Sequence, residues 1–209
     1  MKIYDVSLPI ENSMLVWEGD NKVSIKTIAT VKRDGVALSR FSFGSHTGTH
    51  IDAPNHFLEE KPGIDKIDLD KLIGRCIVVD LTKIKGLKIL PQHLKKINIK
   101  KGDRIVFKTR NFSLLKRSSF PKDYMSLSIE AARFLVDRSI FLVGIDFLGI
   151  EKRGNPNHPV HKTLLSNGVV IVEGLDLSKI EKGVYDIICL PLKVVGADGS
   201  PARALLIKK

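Results

Sequence analysis

Cysteine is almost missing from this chain, and a disulfide framework is missing with it. The two that exist, Cys76 and Cys189, each lie in an apolar run (Cys-Ile-Val-Val and Ile-Ile-Cys-Leu). Both read as reduced core residues, neither paired nor metal-ligating. Long apolar runs are missing as well: no segment approaches the ~18 residues of a membrane span. Met1 to Ile10 alternates polar and apolar residues where a signal peptide needs a continuous apolar stretch. A cytoplasmic protein with no membrane partner is the expectation. Arginine is scarce too. The net charge is +11, yet lysine outnumbers arginine 24 to 10. Readers of phosphates and bases rely on arginine forks and interleaved aromatics. The densest basic stretch, Lys83 to Lys101, holds no aromatic residue. The charge therefore reads as a solvated basic surface, and no nucleic-acid partner is expected.

What remains is an ordinary globular composition, 43% hydrophobic and 27% charged over 209 residues, which is enough for one domain with a real core. β-Branched runs punctuated by Gly, Pro and Asp predict strands over Lys2–Leu8, Val23–Ala29, Ala37–Phe43, Cys76–Leu81, Arg104–Thr109, Ile140–Ile145, Val169–Glu173, Tyr185–Leu190 and Ala202–Ile207. Helical patterns are fewer. Leu127–Arg138 gathers Ile129, Ala132, Phe134, Leu135 and Val136 largely on one side, with Ser128 as N-cap. Pro91–Ile97 and Pro159–Asn167 are short helices beginning with proline, the second followed by Gly168 at the left-handed C′ position. This mixture predicts a single α/β domain over residues 1–209, with a mixed, barrel-like β-sheet flanked by a few helices. Residues 111–123, polar and basic, are either a mobile flap beside a site or an ordinary surface loop.

Half of the six histidines fall in one stretch, His46-Thr47-Gly48-Thr49-His50-Ile51-Asp52-Ala53-Pro54-Asn55-His56. Imidazole and carboxylate together are what a borderline divalent cation selects. A straight strand would hold His46 and His50 about 13 Å apart at ~3.3 Å per residue. Gly48, Thr49, Ile51 and Pro54 disfavour a helix. The stretch is therefore expected to be a strand end that bends at Gly48, with His50 and Asp52 converging on one ion. Pro54 ends regular pairing and sets the direction in which His56 leaves. His93 stands alone and reads as a surface or satisfied histidine.

A second group lies downstream, in Asn157-His158-Pro159-Val160-His161 and at Glu173, the end of the apolar run Val169-Val170-Ile171-Val172. If a short helix reverses at Gly168, the returning strand brings Glu173 beside His161. A carboxylate in a buried strand needs a partner. A metal and one of the many lysines are equal candidates on spacing alone.

The histidine stretch, extended to Phe57, resembles the signature of the cyclase-like metal hydrolases that include bacterial kynurenine formamidase. Val16-Trp17-Glu18-Gly19-Asp20 is similar to that family's Trp-Pro-Gly-Asp, with Glu18 in place of the proline. Lys108-Thr109-Arg110-Asn111, Leu142-Val143-Gly144-Ile145-Asp146, Pro159 to Leu165, Val172-Glu173-Gly174-Leu175, Cys189 to Lys193 and Asp198 to Ala204 follow in the family's order. The resemblance implies a swivelling β/β/α architecture, a homodimer or homotetramer, and a divalent metal, Zn or Mn, as one or two ions per subunit. It implies His46, His50, Asp52, His161 and Glu173 as metal ligands and His56 as the catalytic histidine. Trp17 is either an aromatic wall for the substrate or plain packing.

The expected chemistry is amide hydrolysis by a metal-activated water, with His56 moving the proton. Neither cysteine carries a nucleophile signature, and Gly44-Ser45-His46 is no nucleophile elbow. N-formyl-L-kynurenine, hydrolysed to L-kynurenine and formate, is the first small-molecule amide substrate to consider. A cyclic amide such as isatin and a non-catalytic metal-binding role are the alternatives.

Overall fold

Successive side chains of a strand face opposite sides, and in this chain the buried residues divide by that parity into two separate cores. The computed structural model describes residues 1–117 and 119–208. Its strands are β1 (Lys2–Asp5), β2 (Ser24–Ala29), β3 (Leu38–Ser42), β4 (His50–Asp52), β5 (Ile73–Asp80), β6 (Lys88–Ile89), β7 (Arg104–Lys108), β8 (Ser126–Leu127), β9 (Leu142–Ile145), β10 (Val170–Glu173), β11 (Gly183–Pro191) and β12 (Gly199–Lys208). Seven of them close a ring in the order β12-β11-β5-β7-β9-β10-β4, with β4 pairing back to β12.

Closure depends on the length of β12. Its first residues, Gly199 to Pro201, pair with β4, while Ala202 to Ile207 pair with β11. β1 then lies antiparallel along its last residues. The strands β5, β7, β9 and β10 run parallel; β4, β11 and β12 join antiparallel. The result is the mixed, barrel-like sheet that the sequence predicts.

Inside the ring pack Cys76, Val78, Val106, Leu142, Val172, Ile187, Leu206 and Ile51. Their strand neighbours Ile77, Val79, Ile105, Phe107, Val143, Ile145 and Ile171 face outward. Two helices cover this outer face: α2 (Ile129–Val136) and α3 (Pro159–Ser166); a third, single-turn helix, α1 (Val31–Asp34), lies apart from it. Ser128 caps α2 by accepting from the Ala131 N–H at 3.1 Å, and Gly168 takes φ 68 just beyond α3, both as expected from the sequence. Both cysteines are buried and free, in line with their apolar surroundings. Among the described residues no helix is long and apolar enough to cross a membrane.

Three local expectations need correction, and one predicted pair of strands lies apart from the barrel. Val23–Ala29 and Ala37–Phe43 do form strands, but as a β2–β3 hairpin outside the ring. Its residues are mostly exposed, so it has no core face to bury in the barrel. The predicted strand Lys2–Leu8 ends at Asp5, beyond which Ser7 makes an isolated bridge to Leu175. Pro91–Ile97 is helical only in the turn Pro91–His93, where His93 Nδ1 accepts from the Leu90 N–H. Leu127 belongs to the short β6–β8 pair, and α2 starts after it. The 111–123 stretch opens as a 3₁₀ helix, Asn111–Lys116, and is anchored at its root. The buried Asn111 amide donates to the Met125 carbonyl and accepts its N–H, each at 2.7 Å. Ser118, within that stretch, lies outside the described residues.

Candidate metal centre

Gly48 takes φ 66, a left-handed conformation that glycine adopts at little cost, and the chain turns there into β4. In the antiparallel register His50 lies opposite Glu173, and Asp52 opposite both Ile171 and Gly199. Ile51 points into the ring, so His50, Asp52 and Glu173 share the outer face with Ile171. Directly opposed residues have Cβ atoms about 5 Å apart, which puts an imidazole, a carboxylate and a second carboxylate within reach of one point. All three are nearly closed to solvent, at 1%, 1% and 4% exposure.

Two histidines then face this point in the same way. His50 Nδ1 lies 3.0 Å from the Gly48 carbonyl, a pure acceptor, so that nitrogen carries the proton. Its Nε2 stands 3.5 Å from Asp52 Oδ1 and 3.4 Å from Glu173 Oε2. His161, on the first turn of α3, places Nδ1 2.7 Å from Glu151 Oε2. Its Nε2 lies 3.4 Å from Glu173 Oε1 and 3.8 Å from Asp52 Oδ2. The helix that reverses at Gly168 does bring Glu173 back beside His161. Of the two partners that spacing allowed Glu173, a lysine is not the one: its neighbours are these imidazoles and the Ile150 N–H at 2.6 Å.

His46 and His56 form a second layer. His46 Nδ1 is 3.0 Å from Asp52 Oδ1, and its Nε2 is 2.8 Å from Asp198 Oδ2. The His56 ring stacks on it with centroids 4.0 Å apart, and His56 Nδ1 is 3.5 Å from Asp198 Oδ2. A 3₁₀ turn over Pro54–His56 swings His56 round to this position. The structure thus gathers all five proposed ligands and His56 in one place.

The electrostatics show how much positive charge the cluster attracts. Burial disfavours the charged form of His46, yet Asp52 and Asp198 outweigh it and raise its pKa to about 9. His161 is likewise raised to about 10 against its burial, by Glu151 and Glu173. Burial raises Glu173, but His161 and His50 hold it well below the usual carboxylate range. His56 goes the other way: burial pushes it down.

The donor set fits a divalent ion. Asp52 Oδ2 is buried and has no hydrogen-bond partner, a costly state for a carboxylate oxygen. It lies among imidazole and carboxylate donors of the kind zinc and manganese take, and His50, Asp52 and Glu173 can offer their ligand atoms to one ion.

The cluster forms the floor of a cleft of about 320 Å³. Trp17, Phe57, Leu148 and Gly149 supply its apolar walls, with Asp20, Lys152 and Arg153 toward the outside. Trp17 packs on Phe120 at 4.6 Å between ring centroids. It also lies against Gly149, where a Cβ would come within 2.6 Å of Trp17 Cζ3.

Two members of the site escaped the sequence reading. Asp198 stands in a run that the family resemblance includes, but nothing marks it until β12 pairs with β4. Glu151 carries no spacing signal at all.

Comparison with known proteins identifies the family. The model of the Cyclase family ("Putative cyclase") matches residues 4–152, more than half of the chain. The chain belongs to the cyclase family. This cyclase-family protein is 31% identical over 208 residues to the kynurenine formamidase of Salinibacter ruber, covering 99% of this chain and 97% of that one. A solved structure from Bacillus stearothermophilus, described as a predicted metal-dependent hydrolase, is 40% identical with a TM-score of 0.85, over 98% of this chain and 97% of that one. Isatin hydrolase A from Labrenzia aggregata shares the fold, with a TM-score of 0.87 at 22% identity over 100% of this chain and 94% of that one. The cyclase-family protein is a hydrolase. His161 and Glu173 lie beyond the segment matched by the family model, but within the full-length likeness.

Proposed function

We propose that this hydrolase cleaves an aryl formamide, N-formyl-L-kynurenine, to L-kynurenine and formate. A divalent ion, Zn or Mn, as one ion or two, would be held by His46, His50, Asp52, His161 and Glu173. The observation that carries the metal reading is the convergence of His50 Nε2 and His161 Nε2 on the paired buried carboxylates Asp52 and Glu173. Adjacent buried carboxylates repel one another and call for a shared cation. The likeness to a kynurenine formamidase supports the substrate, and the aromatic walls Trp17 and Phe57 suit its aryl ring.

When bound, such an ion brings the pKa of a coordinated water down to about 7 and polarises a carbonyl oxygen. The remaining work falls to the chain. Gly48 and Glu151 fix the protons of His50 and His161 on Nδ1, which leaves each Nε2 lone pair free to ligate. Ligation needs neutral imidazoles, so to hold an ion His46 and His161 would give up the protons that the neighbouring carboxylates otherwise draw onto them.

His56 moves the catalytic proton. With Nδ1 directed toward Asp198, Nε2 is the atom that takes a proton from the attacking water and returns it to the leaving nitrogen. Burial keeps its pKa low and the ring neutral near pH 7, ready to accept. A homodimer or homotetramer in the cytoplasm completes the reading; the exposed Val31, Val36, Leu38 and Phe41 around the β2–β3 hairpin support self-association, which sedimentation of the protein tests.

The test of substrate is turnover of N-formyl-L-kynurenine beside isatin and cyclic imides, with Zn²⁺ or Mn²⁺ supplied. Turnover of the formamide at ordinary enzyme rates supports the reading. Turnover of the cyclic amides alone moves the substrate to that class. No turnover by metal-loaded protein leaves a metal-binding protein without this activity.

A further inference from the structure

Glu18 stands where the family motif has proline, and the structure gives it a partner. Its carboxylate pairs with the Arg153 guanidinium. Glu18 follows Trp17, and Arg153 belongs to the loop running from Leu148 to Gly154, so the pair ties together two segments that line the cleft. A third segment joins them. The Arg153 guanidinium lies 5.7 Å from the centre of the Phe120 ring, on which Trp17 also packs. Trp17 in turn presses on Gly149, at the root of the same loop.

We propose that the Glu18–Arg153 pair is a clasp that holds Trp17 in place as the outer wall of the cleft and so determines which substrates enter. Both side chains are substantially exposed, at 53% for Glu18 and 40% for Arg153. An exposed pair of this kind holds the closed state by no more than about fivefold. The clasp therefore biases Trp17 toward the position seen here by that factor and no more. A closed wall favours a small planar amide over one with bulk beyond the ring.

Trp17 is the single tryptophan of the chain, so its fluorescence reports the wall directly. The experiment measures acrylamide quenching of Trp17 in the wild type, in Glu18→Gln, in Arg153→Gln, and in the charge exchange Glu18→Arg with Arg153→Glu. The clasp predicts stronger quenching in both single variants and return toward wild type in the exchange. It also predicts stronger quenching of the wild type in high salt, which screens an exposed pair. Quenching that is unchanged in the single variants, or not restored by the exchange, overturns the clasp.

The second arm compares kcat/KM for formanilide and 4-tert-butylformanilide, and this arm alone rests on the amide-hydrolase reading. The preference for the smaller amide should fall up to about fivefold in the single variants and recover in the exchange. An unchanged preference alongside a changed quenching overturns the substrate filter. If neither amide is hydrolysed by any form, the aryl-formamide reading fails, and quenching decides the clasp by itself.

Discussion

His161 places Nδ1 2.7 Å from Glu151 and Nε2 3.4 Å from Glu173, so one carboxylate orients the ring for the other. Glu151 can do this because it is itself fixed: it accepts the Val160 N–H at 3.1 Å and the His161 N–H at 3.2 Å at the start of α3. Carboxylates in this position behind a ligating histidine govern metal affinity by ten- to hundredfold. Glu151→Gln keeps an acceptor for Nδ1 but removes the charge, so metal affinity should fall about tenfold, at the low end of that range. Competition with a chelating dye measures it. An unchanged affinity would mean that His161 is not a ligand.

His56→Ala separates catalysis from ligation. It should keep the metal and lose at least ~10²-fold in kcat, the usual contribution of a general acid–base group. If the variant instead fails to hold metal, His56 is a ligand and the roles must be reassigned.

Asp52 touches every part of the centre. Its Oδ1 lies 3.0 Å from His46 and 3.5 Å from His50, and its Oδ2 faces His161 at 3.8 Å. Metal that binds only the folded state should raise its stability by about 2.7 kcal/mol at a hundred times Kd. Thermal melts with and without Zn²⁺ should therefore separate for the wild type and coincide for Asp52→Ala, which should also be inactive. A metal-dependent shift of full size in Asp52→Ala would contradict the ligand set.

Gly174 is where β10 leaves the centre, with φ 71 and no room for a side chain. A Cβ there would lie 2.2 Å from the Gly48 carbonyl oxygen, the group that accepts from His50. Gly174→Ala combines an unfavourable φ with a backbone clash and should destabilise the fold by about 2 kcal/mol or more. Urea unfolding checks this; a loss below half a kcal/mol would show that the Gly48 bend can move freely.

Much of the site was legible because it is local. The bend at Gly48, the common face of His50 and Asp52, and the return of Glu173 past Gly168 all follow from short-range rules of strand parity and glycine conformation. The capped start of α2 at Ser128 is legible for the same reason. Asp198 was not, because it reaches His46 only when Gly199 pairs with Asp52 across 147 positions of chain. That pairing is the ring closure itself, which no local pattern encodes. Glu151 was missed because it sits in an irregular loop after β9, where neither periodicity nor a turn signal fixes direction. The β2–β3 hairpin shows the converse limit: its strands were readable from β-branched content, but its position outside the ring depends on which strands find a buried face.

The most direct test of the central claim is to strip the protein with a chelator and titrate Zn²⁺ or Mn²⁺ back, following bound metal and amide hydrolysis in the same samples. If Asp52, Glu173 and the histidines around them hold the catalytic ion, activity should vanish on stripping and return in step with metal uptake. Hydrolysis that persists in the stripped protein, or that stays absent once the metal is back, would contradict it.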